Sequence, residues 1–294
     1  MCSRYLQRVT VRGTNARGTL RTCTGRGALD SGAMPPPRHV TATRYVTPLR
    51  EGGSLPGLVE ADDDGLYVVK FRGAGQGPRA LVAEWLAGEV GRALGLPVPE
   101  IVTIDVDGSL GDAEPDEELQ ELVHRSGGLN LGLDFLPGAL TFNPGASPVV
   151  DPDAAAAIVW LDAFTTNPDR TAGNPNLLIW HGRTWLIDHG AALYIHHTWR
   201  DPDEHAERPF ERTRDHVLLP FAGPIDEADA RLTPSLDRGL FERLAAAIPD
   251  LWLPDDPSAG GAEDQRAAYV RYLERRLAGR RSFVEEAERA RRAA

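Results

Sequence analysis

Apolar and polar positions follow different periods in the two halves of the chain. In the first half, short β-type runs at 42–49, 58–60 and 66–71 precede a helical period from Ala80 to Leu94. The acidic turn at 62–65 joins the second and third runs, because Asp and Gly tolerate the positive φ of a tight turn. This order predicts a small antiparallel sheet followed by one helix.

Two more β-type runs lie at 101–106 and 131–136, and Pro137-Gly138 ends the second. We place a lobe boundary there, which gives an N-terminal lobe at 40–137 and a mainly helical C-terminal lobe at 138–294. The predicted fold class is therefore α+β, with two lobes. Within the second lobe the pattern predicts helices at 153–164, 238–248 and 263–291, and a hairpin of 177–179 with 184–187.

Residues 1–39 lack any apolar period. They contain six arginines up to Arg26 and a single acid, Asp30. This composition indicates either a disordered tail or an upstream mis-called start, with the true start at Met34. We assign no chemistry to this segment.

Composition limits the classes of function. A formal net charge of −11 disfavours a nucleic-acid partner, because affinity for phosphate backbones comes from clustered Lys and Arg. No apolar run approaches the roughly 20 residues that span a bilayer, and no secretory signal is evident, so we expect a cytoplasmic protein without a membrane partner. The two cysteines, Cys2 and Cys23, both precede the first periodic segment and cannot organise the fold.

Lys70 is the only lysine among 32 basic residues. A position that keeps lysine where all others carry arginine favours a requirement for a compact ammonium. Lys70 lies near the end of the third β-type run, from which it can reach nucleotide phosphates. Glu84 on the following helix is expected to fix the ammonium, and Glu89 on the same helix is the alternative.

A polar loop, a hairpin and a second polar segment follow in the C-terminal half. The loop contains Asp169 and, five residues later, Asn174, and the hairpin leads to Asp188-His189-Gly190. Phosphoryl transfer depends mainly on alignment and charge neutralisation. Asp169 suits the carboxylate that accepts or orients the acceptor hydroxyl, while Asn174 and Asp188 offer hard oxygen ligands to Mg²⁺. The hairpin returns the chain, so both ligands are expected at one end of the same ribbon.

Backbone groups in two other segments are expected to contact ATP. The glycine-rich link at 52–57, with Ser54 and Gly57, lets backbone amides approach phosphate. The segment Asp134, Phe135 and Leu136 is expected to supply backbone hydrogen bonds to adenine.

These segments resemble the HipA-like kinases, bacterial relatives of the protein-kinase-like and lipid-kinase-like folds. The resemblance implies a two-lobed protein-kinase-like fold with ATP in the cleft, Lys70 on its phosphates, Asp169 as catalytic carboxylate, and Mg²⁺ on Asn174 and Asp188. By analogy, Ser54 is also a candidate autophosphorylation site. The matching segments are 67–71, 83–86, 92–99, 167–178 and 186–190.

The chain departs from typical protein kinases at two motif positions. Asn167 stands where those kinases carry histidine, and His189 replaces the phenylalanine of Asp-Phe-Gly. The extra N-terminal region of full-length HipA toxins is not evident, so we do not carry over toxin–antitoxin pairing.

The leading hypothesis is an ATP- and Mg²⁺-dependent kinase that phosphorylates a hydroxyl of a protein Ser/Thr or of a small molecule. One alternative is a pseudokinase that binds nucleotide without turnover. Another is a small-molecule phosphotransferase of the antibiotic-kinase type. The role of Arg170 stays open between contact with a substrate phosphate and pairing with an acid in the loop.

Overall fold

A computed structural model describes residues 37–49, 55–146, 150–279 and 281–294. The strands in these ranges are β1 His39–Pro48, β2 Gly57–Ala61, β3 Leu66–Lys70, β4 Ile101–Val106, β5 Gly128–Asp134, β6 Leu140–Thr141, β7 Leu177–Trp180 and β8 Arg183–Leu186. The helices are α1 Pro78–Ala93, α2 Glu117–Arg125, α3 Pro152–Phe164, α4 Pro202–Glu207, α5 Ile225–Leu232, α6 Arg238–Ala246, α7 Ala262–Ala278 and α8 Ser282–Ala293.

The first five strands form a closed barrel in the order β1-β2-β3-β5-β4. Four pairings are antiparallel, and the barrel closes through a parallel pairing of residues 39–41 with 103–105. The sequence analysis predicted the antiparallel strands but not this closure, which leaves the small sheet without a free edge. Alternate apolar side chains of these strands fill a compact barrel core, to which α2 adds Leu119, Leu122 and Val123.

Helix α1 follows the barrel strand β3 but packs into the larger apolar core of the helical half. Its buried residues occur on all sides, from Leu81 to Gly91, and they share one cluster with Trp160 and Phe164 of α3. Trp85 Nε1 donates a hydrogen bond of 2.9 Å to the carbonyl of Leu244 in α6. Helix α1 is therefore held against the helical half along its length.

The β7–β8 hairpin forms where the sequence predicts it. His181 and Gly182 make its turn with φ of 47° and 72°, the left-handed pair that a two-residue hairpin favours. Leu177 pairs with Leu186, and Ile187 N–H extends the pairing by donating to the carbonyl of Asn176 at 3.1 Å. The segments on either side of the hairpin therefore leave it at the same end.

Several boundaries differ from the expectation, including the start of β5 at Gly128. The helical period predicted at 263–291 is two helices, α7 and α8, with Arg281 in a left-handed conformation at φ 51° before α8. Helix α1 begins at Pro78, where proline suits the first turn. Strand β1 begins at His39, within the segment predicted as a tail, and the rest of that prediction (1–36) lies outside the described residues.

Within the described ranges, none of the helices combines the length and the apolar character needed to cross a membrane.

Candidate active site

Lys70 projects from the end of β3 to the segment after β8. Its Nζ lies 2.6 Å from Asp188 Oδ1 and 3.9 Å from Glu84 Oε2. Lys70 is buried, and burial alone would lower its pKa, but the charges of Asp188 and Glu84 outweigh burial and raise the pKa above its ordinary value. The only lysine of the chain is thus a buried cation that joins the barrel to the helical half.

Glu84 is the carboxylate of α1 that faces Lys70. Its Oε2 accepts a 2.9 Å hydrogen bond from the backbone N–H of His189, and its Oε1 lies 3.3 Å from His189 Nδ1. Burial would raise the pKa of Glu84, yet Lys70 and His189 outweigh it and hold the pKa well below its usual range. Glu89, the alternative, lies 3.1 Å from Arg92 instead.

Asp169 is half-buried in the loop between α3 and β7. Its Oδ2 accepts hydrogen bonds from Asn174 Nδ2 at 3.0 Å and from Asn176 Nδ2 at 3.3 Å. Its own N–H donates to Asn167 Oδ1 at 3.1 Å. The charge of Asp169 also contributes to the raised pKa of Lys70. Lys70, Asp169, Asn174 and Asp188 therefore lie near one another.

Asn174 and Asp188 each offer an oxygen of the kind that a hydrated Mg²⁺ ion prefers. The amide nitrogen of Asn174 is used by Asp169, which leaves its amide oxygen for a cation, and Asp188 engages Lys70 through Oδ1 and is about one-third exposed. No group of three or more His, Cys, Asp or Glu in the described part of the chain could hold a metal by itself. Mg²⁺ commonly takes one or two protein ligands and completes its shell with water and substrate phosphates.

Left-handed backbone conformations cluster around this site. Thr166, Asn176 and Asp188 have φ of 55°, 47° and 57°. This conformation is costly for side chains other than glycine, and most of all for β-branched residues such as threonine. Such strain persists where the surrounding contacts impose it, which is common at functional sites.

Arg170 pairs with an acid, although not with one in its own loop as the sequence analysis allowed. The acid, Asp162, lies on α3, and both side chains are buried. His216 also contacts Asp162, with Nε2 2.9 Å from Oδ2. The sequence analysis missed Asp162 and His216, although a charge that follows the apolar run 154–161 of this helix is an unusual feature that could have drawn attention to Asp162.

The structure gives different answers for the predicted nucleotide contacts of the barrel. Ser54 lies outside the described residues. Gly57 is buried at the start of β2, where a Cβ would come within 2.7 Å of the Tyr45 ring, so packing by itself accounts for this glycine. Phe135 N–H donates to the carbonyl of Leu66 at 2.9 Å and is not free for adenine.

Asp134 and Leu136 flank that residue. Asp134 N–H donates to the carbonyl of Glu100 at 2.9 Å, whereas Leu136 N–H has no backbone acceptor within the described part of the chain. Burial, together with the charge of Glu100, raises the pKa of the Asp134 carboxyl. Leu136 N–H therefore stays our candidate for a hydrogen bond to adenine.

A family model described as HipA-like kinase matches residues 43–282. The crystal structure of the Helicobacter pylori proinflammatory kinase CtkA is similar, with a TM-score of 0.53 and 14% identity over 88% of this chain and 99% of that chain. Two structures of the Golgi casein kinase, one with Mn/ADP bound, give TM-scores of 0.42 and 0.41 at 13% identity, over 88% and 87% of this chain and 72% and 74% of theirs. No curated protein matches the sequence. The family match and the likeness to CtkA confirm the resemblance seen in the sequence and the predicted protein-kinase-like fold.

Proposed function

Because this chain belongs to the HipA-like kinase family, we propose that it is an active kinase that transfers the γ-phosphoryl group of ATP to a hydroxyl. The observation that carries this proposal is the 2.6 Å contact between Lys70 and Asp188. It brings the only lysine of the chain to the proposed metal ligand, beside the linked pair Asp169 and Asn174. A site of this composition can neutralise a triphosphate and orient an acceptor.

Each residue has a distinct role in this proposal. Lys70, positioned by Glu84, binds phosphate oxygens of ATP, and Leu136 N–H binds the adenine. Asn174 and Asp188 would hold Mg²⁺, which supplies positive charge for the phosphates when bound. Asp169 takes the proton of the acceptor hydroxyl as the bond from the acceptor oxygen to the γ-phosphorus forms. The bond from that phosphorus to the β,γ-bridging oxygen breaks, and its electron pair leaves with ADP.

The acceptor is a hydroxyl of a protein Ser/Thr or of a small molecule. The test uses γ-labelled ATP with Mg²⁺, the protein and a host lysate, with label separated into protein-bound and small-molecule fractions. Asp169→Asn is the matched control, because the asparagine keeps the shape of the side chain and an acceptor for the Asn174 amide. Label in either fraction that depends on Asp169 supports the proposal and identifies the acceptor class.

A thermal shift with Mg²⁺-ATP distinguishes a chain that binds nucleotide without turnover from one that does not bind nucleotide. Ligand at a hundredfold excess over its Kd stabilises the folded chain by about 2.7 kcal/mol. A shift without Asp169-dependent label would favour the pseudokinase alternative. The absence of any shift would count against every nucleotide-dependent function.

A further inference from the structure

We propose that Arg170 is a positioning residue, which sets the spacing between the two segments that carry Asn174 and Asp188 and thereby the metal affinity of the site. This role rests on the proposed function, since it concerns the metal that the kinase reaction requires. The side chain of Arg170 is buried and donates hydrogen bonds to Asp162 and to the carbonyls of Asn176 and Ile187, not to the side chains of Asn174 or Asp188.

The guanidinium of Arg170 has two groups of partners. Its Nε and Nη2 donate to the carboxylate of Asp162, with Nη2 3.4 Å from Oδ1. Its Nη1 donates to two backbone carbonyls, those of Asn176 and, at 3.3 Å, Ile187. One rigid, planar side chain therefore links α3 to the segment before the β7–β8 hairpin and to the segment after it.

The two carbonyls lie next to the proposed metal ligands. Asn176 is two residues after Asn174, and Ile187 immediately precedes Asp188. Ile187 N–H also donates to the Asn176 carbonyl at 3.1 Å, so these two segments meet at the point that Arg170 holds. A shift of either carbonyl would move a metal ligand with it.

Asp162 fixes the position of the Arg170 guanidinium relative to α3. Besides Arg170, its carboxylate accepts from Asn167 Nδ2 at 3.0 Å and from His216 Nε2 at 2.9 Å. Leu218 N–H donates to His216 Nδ1 at 3.0 Å, so the imidazole proton is on Nε2 and points to Asp162. The carboxylate is held from three directions on a helix of the main core.

The negative charge of Asp162 maintains its pairing with Arg170. Burial would raise the pKa of Asp162, but Arg170 and His216 outweigh burial and hold the pKa well below its usual range. The carboxylate therefore stays ionised and keeps the arginine paired. An ammonium in place of the guanidinium would present its three donors from a single nitrogen, which cannot reach the carboxylate and both carbonyls at once.

The test compares Arg170→Lys with Arg276→Lys in the full chain. Arg276 is the matched control, because it is also buried and donates to backbone carbonyls, at Ala163, Phe164 and Ala206, but contacts neither side of the hairpin. Mn²⁺ is titrated in the presence of saturating ADP, at a temperature at which circular dichroism shows each variant to be folded. We expect Arg170→Lys to weaken Mn²⁺ affinity about 10- to 100-fold. Arg276→Lys is expected to lower Tm while leaving Mn²⁺ affinity within about threefold of wild type, since the residues that hold the metal keep their supports.

A second variant covers the case in which Arg170→Lys does not fold. Asp162→Asn keeps the size of the side chain but removes the charge that anchors Arg170 and replaces one acceptor oxygen with an NH2 group, so it is expected to weaken Mn²⁺ affinity in the same direction. If both variants fold, the losses in the double variant should be less than additive, because both changes break one link.

The outcomes separate this inference from the proposed function. Wild-type Mn²⁺ affinity in Arg170→Lys, or in Asp162→Asn where the lysine variant does not fold, would overturn the positioning role alone. Additive losses in the double variant would overturn it as well. Failure of the wild-type chain to bind Mn²⁺ with ADP would overturn the proposed function and this role together.

Discussion

Lys70 Nζ lies 2.6 Å from Asp188 Oδ1 but 3.9 Å from Glu84 Oε2, so the ammonium is in direct contact with the proposed metal ligand and farther from the carboxylate of α1. Glu84 is in turn fixed by the backbone of His189, the neighbour of Asp188. The two carboxylates that share the ammonium are thus tied to each other. Helix α1 and the segment after β8 are therefore bonded to each other where both contact Lys70.

The pKa of Lys70 should fall when Asp188 is replaced. Asp188→Asn removes the main charge that offsets burial of the ammonium, so the folded-state pKa should drop relative to wild type. Because wild-type Lys70 has a raised pKa, its stabilisation is present below the ordinary lysine value of 10.5 and is lost as pH rises through the folded value. Lysine labelled with ¹³C gives one side-chain NMR signal in this chain, which allows a direct titration. Glu89→Gln is the control, and equal titration curves for Asp188→Asn and wild type would refute the pairing.

Asp169→Asn should abolish most turnover and spare nucleotide binding. The amide cannot accept the acceptor proton, and a positioned carboxylate of this kind contributes about 10² to 10⁴ in rate. The hydrogen bond from Asn174 can persist on the new amide oxygen, so the Mg²⁺-ATP thermal shift should remain. Asp153→Asn, at an exposed position near the start of α3, should match wild type in both assays. A lost thermal shift in Asp169→Asn would instead indicate that Asp169 holds the metal or the nucleotide.

His196 should make the folded chain less stable as pH falls below about 6.5. It is buried, with Nδ1 3.0 Å from the Tyr269 hydroxyl, and burial, helped by His197 and Arg79, lowers its pKa well below 6.5. A depressed folded-state pKa stabilises the fold above the unfolded value, and that stability is lost as pH falls towards the folded value. The slope approaches ~1.4 kcal/mol per pH unit for one group.

Urea denaturation at pH 7.5 and 5.5 measures this effect. The difference in unfolding free energy between the two pH values should be smaller in His196→Gln than in wild type. Leu251→Gln, at an exposed position and without any titratable group, should behave like wild type. An unchanged pH dependence in His196→Gln would rule out His196 as its source.

Trp85→Phe should loosen α1 from the helical half. The indole N–H donates to the carbonyl of Leu244 at 2.9 Å, in the last turn of α6, where carbonyls lack a helical donor. Phenylalanine leaves that buried carbonyl without its partner, so we expect a loss of about 1–3 kcal/mol in unfolding free energy. Trp180→Phe is the control, because its 3.0 Å bond to the Pro137 carbonyl is solvent-exposed and water can replace it. Equal losses in the two variants would contradict a specific tie between α1 and α6.

The choice between Glu84 and Glu89 illustrates a limit of the sequence pattern. The two residues are five apart on α1, so their side chains point about 140° away from each other. A narrow apolar stripe would have shown which one faces inward, but the buried residues of α1 between Leu81 and Gly91 surround the helix, and only Glu89 among these positions is half-buried. The pattern placed both acids on a helix beside Lys70, and Glu84 was favoured only because it lies in the segment 83–86 that resembles the HipA-like kinases.

The sequence alone determined the features that depend on neighbouring residues. The hairpin turn at His181-Gly182, the β2–β3 turn and the period of α3 are local, so residue types within a few positions specify them. The order of Lys70, Asp169, Asn174 and Asp188 was visible for the same reason. Together with five segments that resemble the HipA-like kinases, this order predicted the kinase-like fold and the family.

Only the tertiary structure decided which distant groups pair. Closure of the barrel pairs residues 39–41 with 103–105. Arg170 donates hydrogen bonds to Asp162 and to the Ile187 carbonyl, which its sequence position does not indicate. A polar side chain can satisfy its hydrogen bonds with many partners of similar energy, and sequence spacing does not distinguish them. The packed core fixes which of those partners lies within about 3 Å of the donor, and that choice gives the site its geometry.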